Sequence, residues 1–137
     1  MSDTRTQSAA DEAVPRIHIR YVGEEPSTLE YIEHGIEEEG VPWRTHAVEE
    51  DEDSPDEPSR ELAFRAASES GLKIGIGIDR DARHTLHHAR LPPEEPVQRA
   101  RVETDSQARA VGANAARLAK RMPLEPIEED SENRERE

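Results

Sequence analysis

The chain has 137 residues, a length that fits one domain, and carries 32 acidic against 18 basic side chains for a formal net charge of −14. That balance argues against a nucleic-acid partner, whose phosphates would be repelled. The absence of cysteine excludes a disulfide framework and thiolate chemistry.

No stretch resembles a signal peptide or a membrane span, so the expectation is a soluble cytoplasmic protein with no membrane partner. The charge is unevenly spread. Residues 49–58 form an acidic loop containing Pro55, and residues 125–137 form an acidic tail. The polar stretch 1–14 reads as a disordered N-terminal tail. What remains, 15–124, is one α/β domain with a modest core. Lys73 and Lys120 are the only lysines; the other basic residues are arginine. Few lysines and many carboxylates fit a salt-rich cytoplasm, where screening removes the self-repulsion of the fold.

Residues 16–22 alternate, with Ile17, Ile19 and Tyr21 on one face, and predict the first strand. A helix over 29–39 follows, with Leu29, Ile32 and Ile36 at helical spacing and Ser27 or Thr28 placed to cap it. Gly40 and Pro42 break that helix, and 43–48 is a second strand. Ser59 is placed to cap a helix through 68 with Leu62, Ala63, Ala66 and Ala67 as its buried stripe, ended by Gly71. Residues 73–79 form the clearest strand, three isoleucines on one face and two glycines on the other. A tight turn at 80–82 leads to an antiparallel strand over 83–88. A fifth strand spans 97–103. Thr104 or Asp105 caps a last helix through 121, with Ala108, Val111, Ala115, Leu118 and Met122 as its apolar stripe.

The order βαβαβββα requires parallel strands joined by right-handed crossovers, plus a hairpin. The expected fold is a mixed five-stranded sheet between helices, with strand four running against the others.

The glycines of 74–79 lack the spacing of a phosphate loop and read as thin strand positions under a helix. His84, His87 and His88 do not form a metal set: adjacent strand residues face opposite ways and no third ligand is near. They read as solvated or interface histidines. Asn114, a poor helix former in mid-helix, implies a specific hydrogen bond. No nucleophile can be identified.

The run Gly35-Ile36-Glu37-Glu38-Glu39-Gly40 is the most unusual feature. Carboxylates beside the negative end of a helix dipole are unfavourable, by roughly 0.3–1 kcal/mol each at an exposed site. The three fan out by about 100° per residue and cannot share one ion. The run calls for a cation, a basic partner surface or a solvated acidic face.

This run, the Leu86-His87-His88…Leu91-Pro92 stretch, and Asp105-Ser106-Gln107-Ala108-Arg109…Gly112-Ala113-Asn114-Ala115-Ala116-Arg117-Leu118…Lys120…Pro123 occur in an order that resembles the small subunit of the diol/glycerol dehydratase-reactivating factor. The resemblance covers 16–124. The medium subunit of the cobalamin-dependent dehydratase shares the fold and similar runs, and stands as the alternative. It has a longer segment between its Leu-Pro-Pro and the last strand, where this chain has only 94–96.

The resemblance implies a three-layer α/β/α fold with sheet order 2-1-3-4-5. It implies a non-catalytic subunit, with no cofactor of its own, that pairs with a chaperone-like ATPase large subunit. During exchange it takes the place of the medium subunit on the diol or glycerol dehydratase large subunit, so that damaged cobalamin leaves and adenosylcobalamin enters. It further implies that Glu38 reaches a Mg2+ beside the large subunit's ATP/ADP site. Glu37, Glu39, Asn114 and Arg117 are expected at the interface. Residues 49–58 match no motif of the family. Such a protein is cytoplasmic, free or associated with a microcompartment.

Overall fold

A computed structural model describes residues 14–48 and 58–127. The expectations for 1–13, for the acidic loop 49–57 and for 128–137 lie outside the described residues. The elements are β1 (Ile17–Val22), α1 (Leu29–Glu38), β2 (Trp43–Val48), α2 (Ser59–Glu69), β3 (Ile74–Ile78), β4 (Arg83–His88), β5 (Gln98–Arg101) and α3 (Asp105–Ala119).

The five strands form one sheet of order β2-β1-β3-β4-β5, as expected. β1 pairs in parallel with β2 and β3, and β4 runs antiparallel to both β3 and β5. α1 and α3 pack on each other over one sheet face, and α2 lies against β1, β3 and β4. The alternation of β1 and β3 decides the layers. Ile17, Ile19, Ile74, Ile76 and Ile78 are buried in one cluster with Ile32 and Ile36 of α1 and Val111 of α3. The intervening Gly75 and Gly77 lie directly under α2. A Cβ on Gly75 would overlap the Ala63 carbonyl, and one on Gly77 the Ser59 carbonyl. Glycine weakens a strand but lets a helix backbone approach it closely.

Four local expectations change. Thr28 occupies the first cap position of α1 with φ −94° and ψ 0°, and its side chain makes no cap bond. The backbone enters the helix instead through Leu29 N donating to Pro26 O at 3.1 Å and Tyr31 N to Thr28 O at 3.0 Å. Pro58, extended at φ −74° and ψ 155°, precedes α2, so Ser59 is a helical residue rather than the cap. Its hydroxyl is buried 2.7 Å from that of Thr85. At α3, Thr104 caps and Gln107 closes a capping box, but the helix stops at Ala119. Arg121 then adopts φ 60°, which turns the chain and leaves Met122 46% exposed, off the expected stripe.

The histidines of β4 are the fourth correction. His84 and His87 are buried, because β4 is an interior strand covered on both faces. His87 Nε2 donates to Pro93 O at 3.0 Å and Nδ1 accepts from His88 N at 2.9 Å, so the ring pins the segment that follows the strand. Phe64 of α2 packs edge-on against it at 5.1 Å. Among the described residues no group of three or more His, Asp or Glu could hold a metal ion, and no helix is long and apolar enough to cross a membrane.

Candidate functional site

The acidic end of α1 is positioned by the contact between α1 and α3. Two glycines make that contact close. A Cβ on Gly35 would overlap the Arg109 carbonyl of α3, and one on Gly112 would overlap the Ile32 carbonyl of α1. The two helices therefore touch backbone to backbone, and the register of their side chains is fixed. Gly40, at φ 79°, ends the α1 segment just beyond the three glutamates.

α3 and Lys120, the residue that ends it, supply the cations that the glutamate run calls for. Lys120 Nζ donates to Glu39 Oε1 at 2.7 Å and to the Glu39 carbonyl at 2.9 Å. Arg117 Nη2 lies 3.6 Å from the other Glu39 oxygen, and Arg117 Nη1 lies 2.7 Å from Glu125. The hydrogen bond from Lys120, then the charges of Lys120 and Arg117, hold the Glu39 carboxyl below the usual carboxylate range. Glu39 is thus turned inward.

Glu38 is turned outward. Its side chain is 57% exposed, and Arg109 Nη1 approaches it only to 3.5 Å. Such an exposed pair contributes about 0–1 kcal/mol and leaves most of the carboxylate accessible. Glu37 is exposed as well. The structure therefore separates the three glutamates as the helical fan requires.

Asn114 makes the specific bonds its mid-helix position implies. Its amide nitrogen donates to Gln98 Oε1 and to Glu125 O, both at 2.8 Å, and its oxygen accepts from Glu125 N at 2.8 Å. The residue is 0% exposed. Expected at an interface, its side chain is instead enclosed and holds together β5, α3 and residues 125–127. Those residues, expected as the start of the tail, are within the described chain, and Ile127 packs against the core.

Arg109 and Lys120 were the partners that motif reading did not assign. A signal exists in the sequence: Arg109, Arg117 and Lys120, spaced 8 and 3 apart, fall on one side of a helix. Glu38 can supply one oxygen to a divalent cation. Mg2+ is commonly held by one or two carboxylates together with water and phosphate oxygens, so a single exposed carboxylate fits a shared site and not an autonomous one.

Comparison with known proteins follows this geometry. A family model described as the dehydratase medium subunit matches residues 14–125. The diol dehydratase-reactivating factor small subunit of Klebsiella michiganensis is 39% identical over 102 residues, 71% of this chain and 73% of that protein. The propanediol dehydratase-reactivating factor small subunit of Salmonella typhimurium is 34% identical over 86% of this chain and 97% of that protein. Among solved structures, a glycerol dehydratase reactivase superposes with a TM-score of 0.75 at 31% identity, over 83% of this chain and 99% of that one. A diol dehydratase-reactivating factor complexed with ADP and Mg2+ superposes with a TM-score of 0.71 at 30% identity, over 83% and 100%. The agreement of family model, near-full-length relatives and sheet topology shows that the chain belongs to the dehydratase medium-subunit family and, within it, to the dehydratase-reactivating factor small subunits.

Proposed function

We propose that this chain is the exchange subunit of a dehydratase-reactivating factor. It pairs with an ATPase large subunit, and takes the place of the medium subunit on a diol or glycerol dehydratase large subunit. Damaged cobalamin is thereby released, and adenosylcobalamin enters. The chain supplies a surface and a carboxylate and no reaction of its own. Its setting is a salt-rich cytoplasm, on the strength of the −14 charge.

The observation that carries the reading is the outward Glu38. α3 satisfies Glu39, yet Glu38 is kept exposed beside only a loose partner. A carboxylate that weakens an isolated helix end becomes favourable when a divalent cation and a partner stand opposite it. Glu38 would supply one oxygen to a Mg2+ shared with the large subunit, whose ion would neutralise charge across the interface. The solved relative that contains ADP and Mg2+ supports this reading. Glu37 lies at the rim of the same contact, and Arg117 stiffens it from behind through Glu39 and Glu125.

Reconstitution tests the proposal. The purified subunit should turn over neither ATP nor 1,2-diols. Mixed with its large subunit, ATP and magnesium, it should restore an inactivated dehydratase. Turnover by the clean isolated subunit, or failure of the mixture to restore activity, would contradict it. Stable assembly with catalytic dehydratase subunits in place of the ATPase subunit would instead support a medium subunit.

A further inference from the structure

At the end of α1 remote from the glutamates, about 15 Å along the helix, a crevice of about 700 Å3 opens beside the carboxyl ends of β1 and β3. This is where the strand order reverses, with β2 on one side of β1 and β3 on the other. In open α/β sheets that position is the usual place for a ligand, and the volume is in the range of small-molecule sites.

His84 lines the crevice. It is 2% exposed, and its Nε2 is buried with no hydrogen-bond partner among the described residues. The tautomer follows from the other nitrogen. Nδ1 lies 2.9 Å from the Ala82 carbonyl, which can only accept, so Nδ1 carries the proton and Nε2 presents a lone pair. Burial pushes the imidazole pKa down to about 4, which keeps the ring neutral. The crevice therefore contains an enclosed acceptor that needs a donor.

The start of α1 also lines the crevice, through Ser27 and Thr28, and no side chain of Thr28 caps it. A helix start alone would invite an anion. Here the invitation is cancelled. A fully ionised oxyanion has no proton to give His84 Nε2, and the carboxylates of Glu24, Asp79 and Glu103 on the lining outweigh the one guanidinium of Arg80, so even a phosphate that keeps a proton is repelled. The group that fits is a hydroxyl, because it donates to the imidazole or a carboxylate and accepts from the Ser27 and Thr28 hydroxyls. Val22, Pro26 and Val102 supply apolar walls for a ring.

We propose that this crevice binds an uncharged polyhydroxylated ring, either a free sugar or the ribose of a nucleoside, with one hydroxyl donating to His84 Nε2. The site is distinct from the Glu38 end, so it stands or falls independently of the proposed assembly.

Titration of the full chain by 15N NMR, separately with ribose, adenosine and inorganic phosphate, tests this. Ribose or adenosine should saturate shifts of the amides at 23–28 and 79–84 and move the His84 Nε2 resonance; phosphate should do neither. Saturation by adenosine alone assigns the nucleoside, and equal saturation by ribose assigns the free sugar. His84→Phe, which removes the acceptor, should weaken binding about tenfold, the worth of one good hydrogen bond. If that variant does not fold, the exposed Ser27→Ala should still weaken binding. The proposal is overturned if neither ring compound saturates the shifts by about 10 mM, a threshold of a few kcal/mol of binding. It is equally overturned if phosphate reproduces the shifts, or if the folded variants bind unchanged.

Discussion

Lys120 closes the end of α1 from the neighbouring helix, donating from one Nζ both to the Glu39 carboxylate at 2.7 Å and to the Glu39 carbonyl at 2.9 Å. The last carbonyls of a helix lack intrahelical partners, and a cation there also opposes the dipole. The glutamate run is consequently two devices. Glu39 ties α1 to α3, and Glu38 faces away from that tie.

Replacing Lys120 by Met should lower the melting temperature, while Glu37→Gln should leave it unchanged or raise it slightly. The effect has a pH signature. A carboxyl held below its ordinary value stabilises the fold above the unfolded pKa of about 4.3 and loses that contribution as pH falls through its lower folded value. Lys120→Met should therefore flatten part of the acid limb of the stability curve. Identical acid limbs in the two proteins would show that the contact contributes nothing.

The glycine contact sets the register on which that tie depends. Gly112→Ala and Gly35→Ala each drive a methyl into a carbonyl of the facing helix. Each should cost about 1–3 kcal/mol, the usual range for overpacking, as read by urea unfolding. Gly40→Ala has open space around its Cβ and strain only from its positive φ. A native-like stability for Gly112→Ala would mean that the helices are further apart than described.

Stability should also decline on mild acidification. His84 is neutral in the fold with a pKa of about 4, against about 6.5 when unfolded. The unfolded chain takes up the proton first, so its contribution is complete above about pH 6.5 and is lost progressively towards pH 4. The full loss is on the order of 3 kcal/mol. His18 and His46, whose facing nitrogens are 3.2 Å apart, are lowered by burial, and His18 further by the charge of His46, and they add to the same slope. Urea unfolding at about pH 7.5 and about pH 5 samples the upper part of this window while the carboxylates remain largely ionised. His84→Phe should lose less stability across the interval than the parent; no loss in the parent would refute the assignment.

Much of the fold was legible because its periods are clean. β2 and β4 occur at their expected bounds, β1 begins one residue later, and the glycine positions of β3 do lie under a helix. Tertiary choices were not legible. Ser59 carries the right side chain for a cap, but Pro58 takes that position and the hydroxyl finds Thr85 across the sheet. His84 and His87 looked polar enough for the surface, yet burial on a strand depends on which helices cover it. At the site, helical geometry gave the separation of the three glutamates, while the choice of Glu38 came from the resemblance alone. The inward direction of Glu39 depended on Arg117 of α3 and Lys120 just beyond it, 78 and 81 residues further along the chain.

Salt should stabilise the isolated subunit. With 32 acidic and 18 basic side chains, repulsion weakens the fold in dilute buffer, and at 1 M salt the Debye length falls to about 3 Å. The melting temperature should rise clearly from low to molar potassium chloride. A value independent of salt would remove the proposal of a salt-rich setting and leave the fold and family intact.

The most direct measurement is calorimetric binding of Glu37→Gln, Glu38→Gln and Glu39→Gln to the large subunit, with and without magnesium. Glu38→Gln keeps the shape of the side chain and removes its charge. Its own fold should be unchanged or slightly more stable, since only the loose Arg109 pair is lost and a negative charge leaves the helix end. With magnesium present its affinity should fall about tenfold or more, and without magnesium the difference from the parent should largely vanish. Glu37→Gln and Glu39→Gln should bind closer to the parent, the latter showing its effect in stability instead. Equal affinities for all three, or a Glu38→Gln loss that persists unchanged without magnesium, would contradict the shared-cation account.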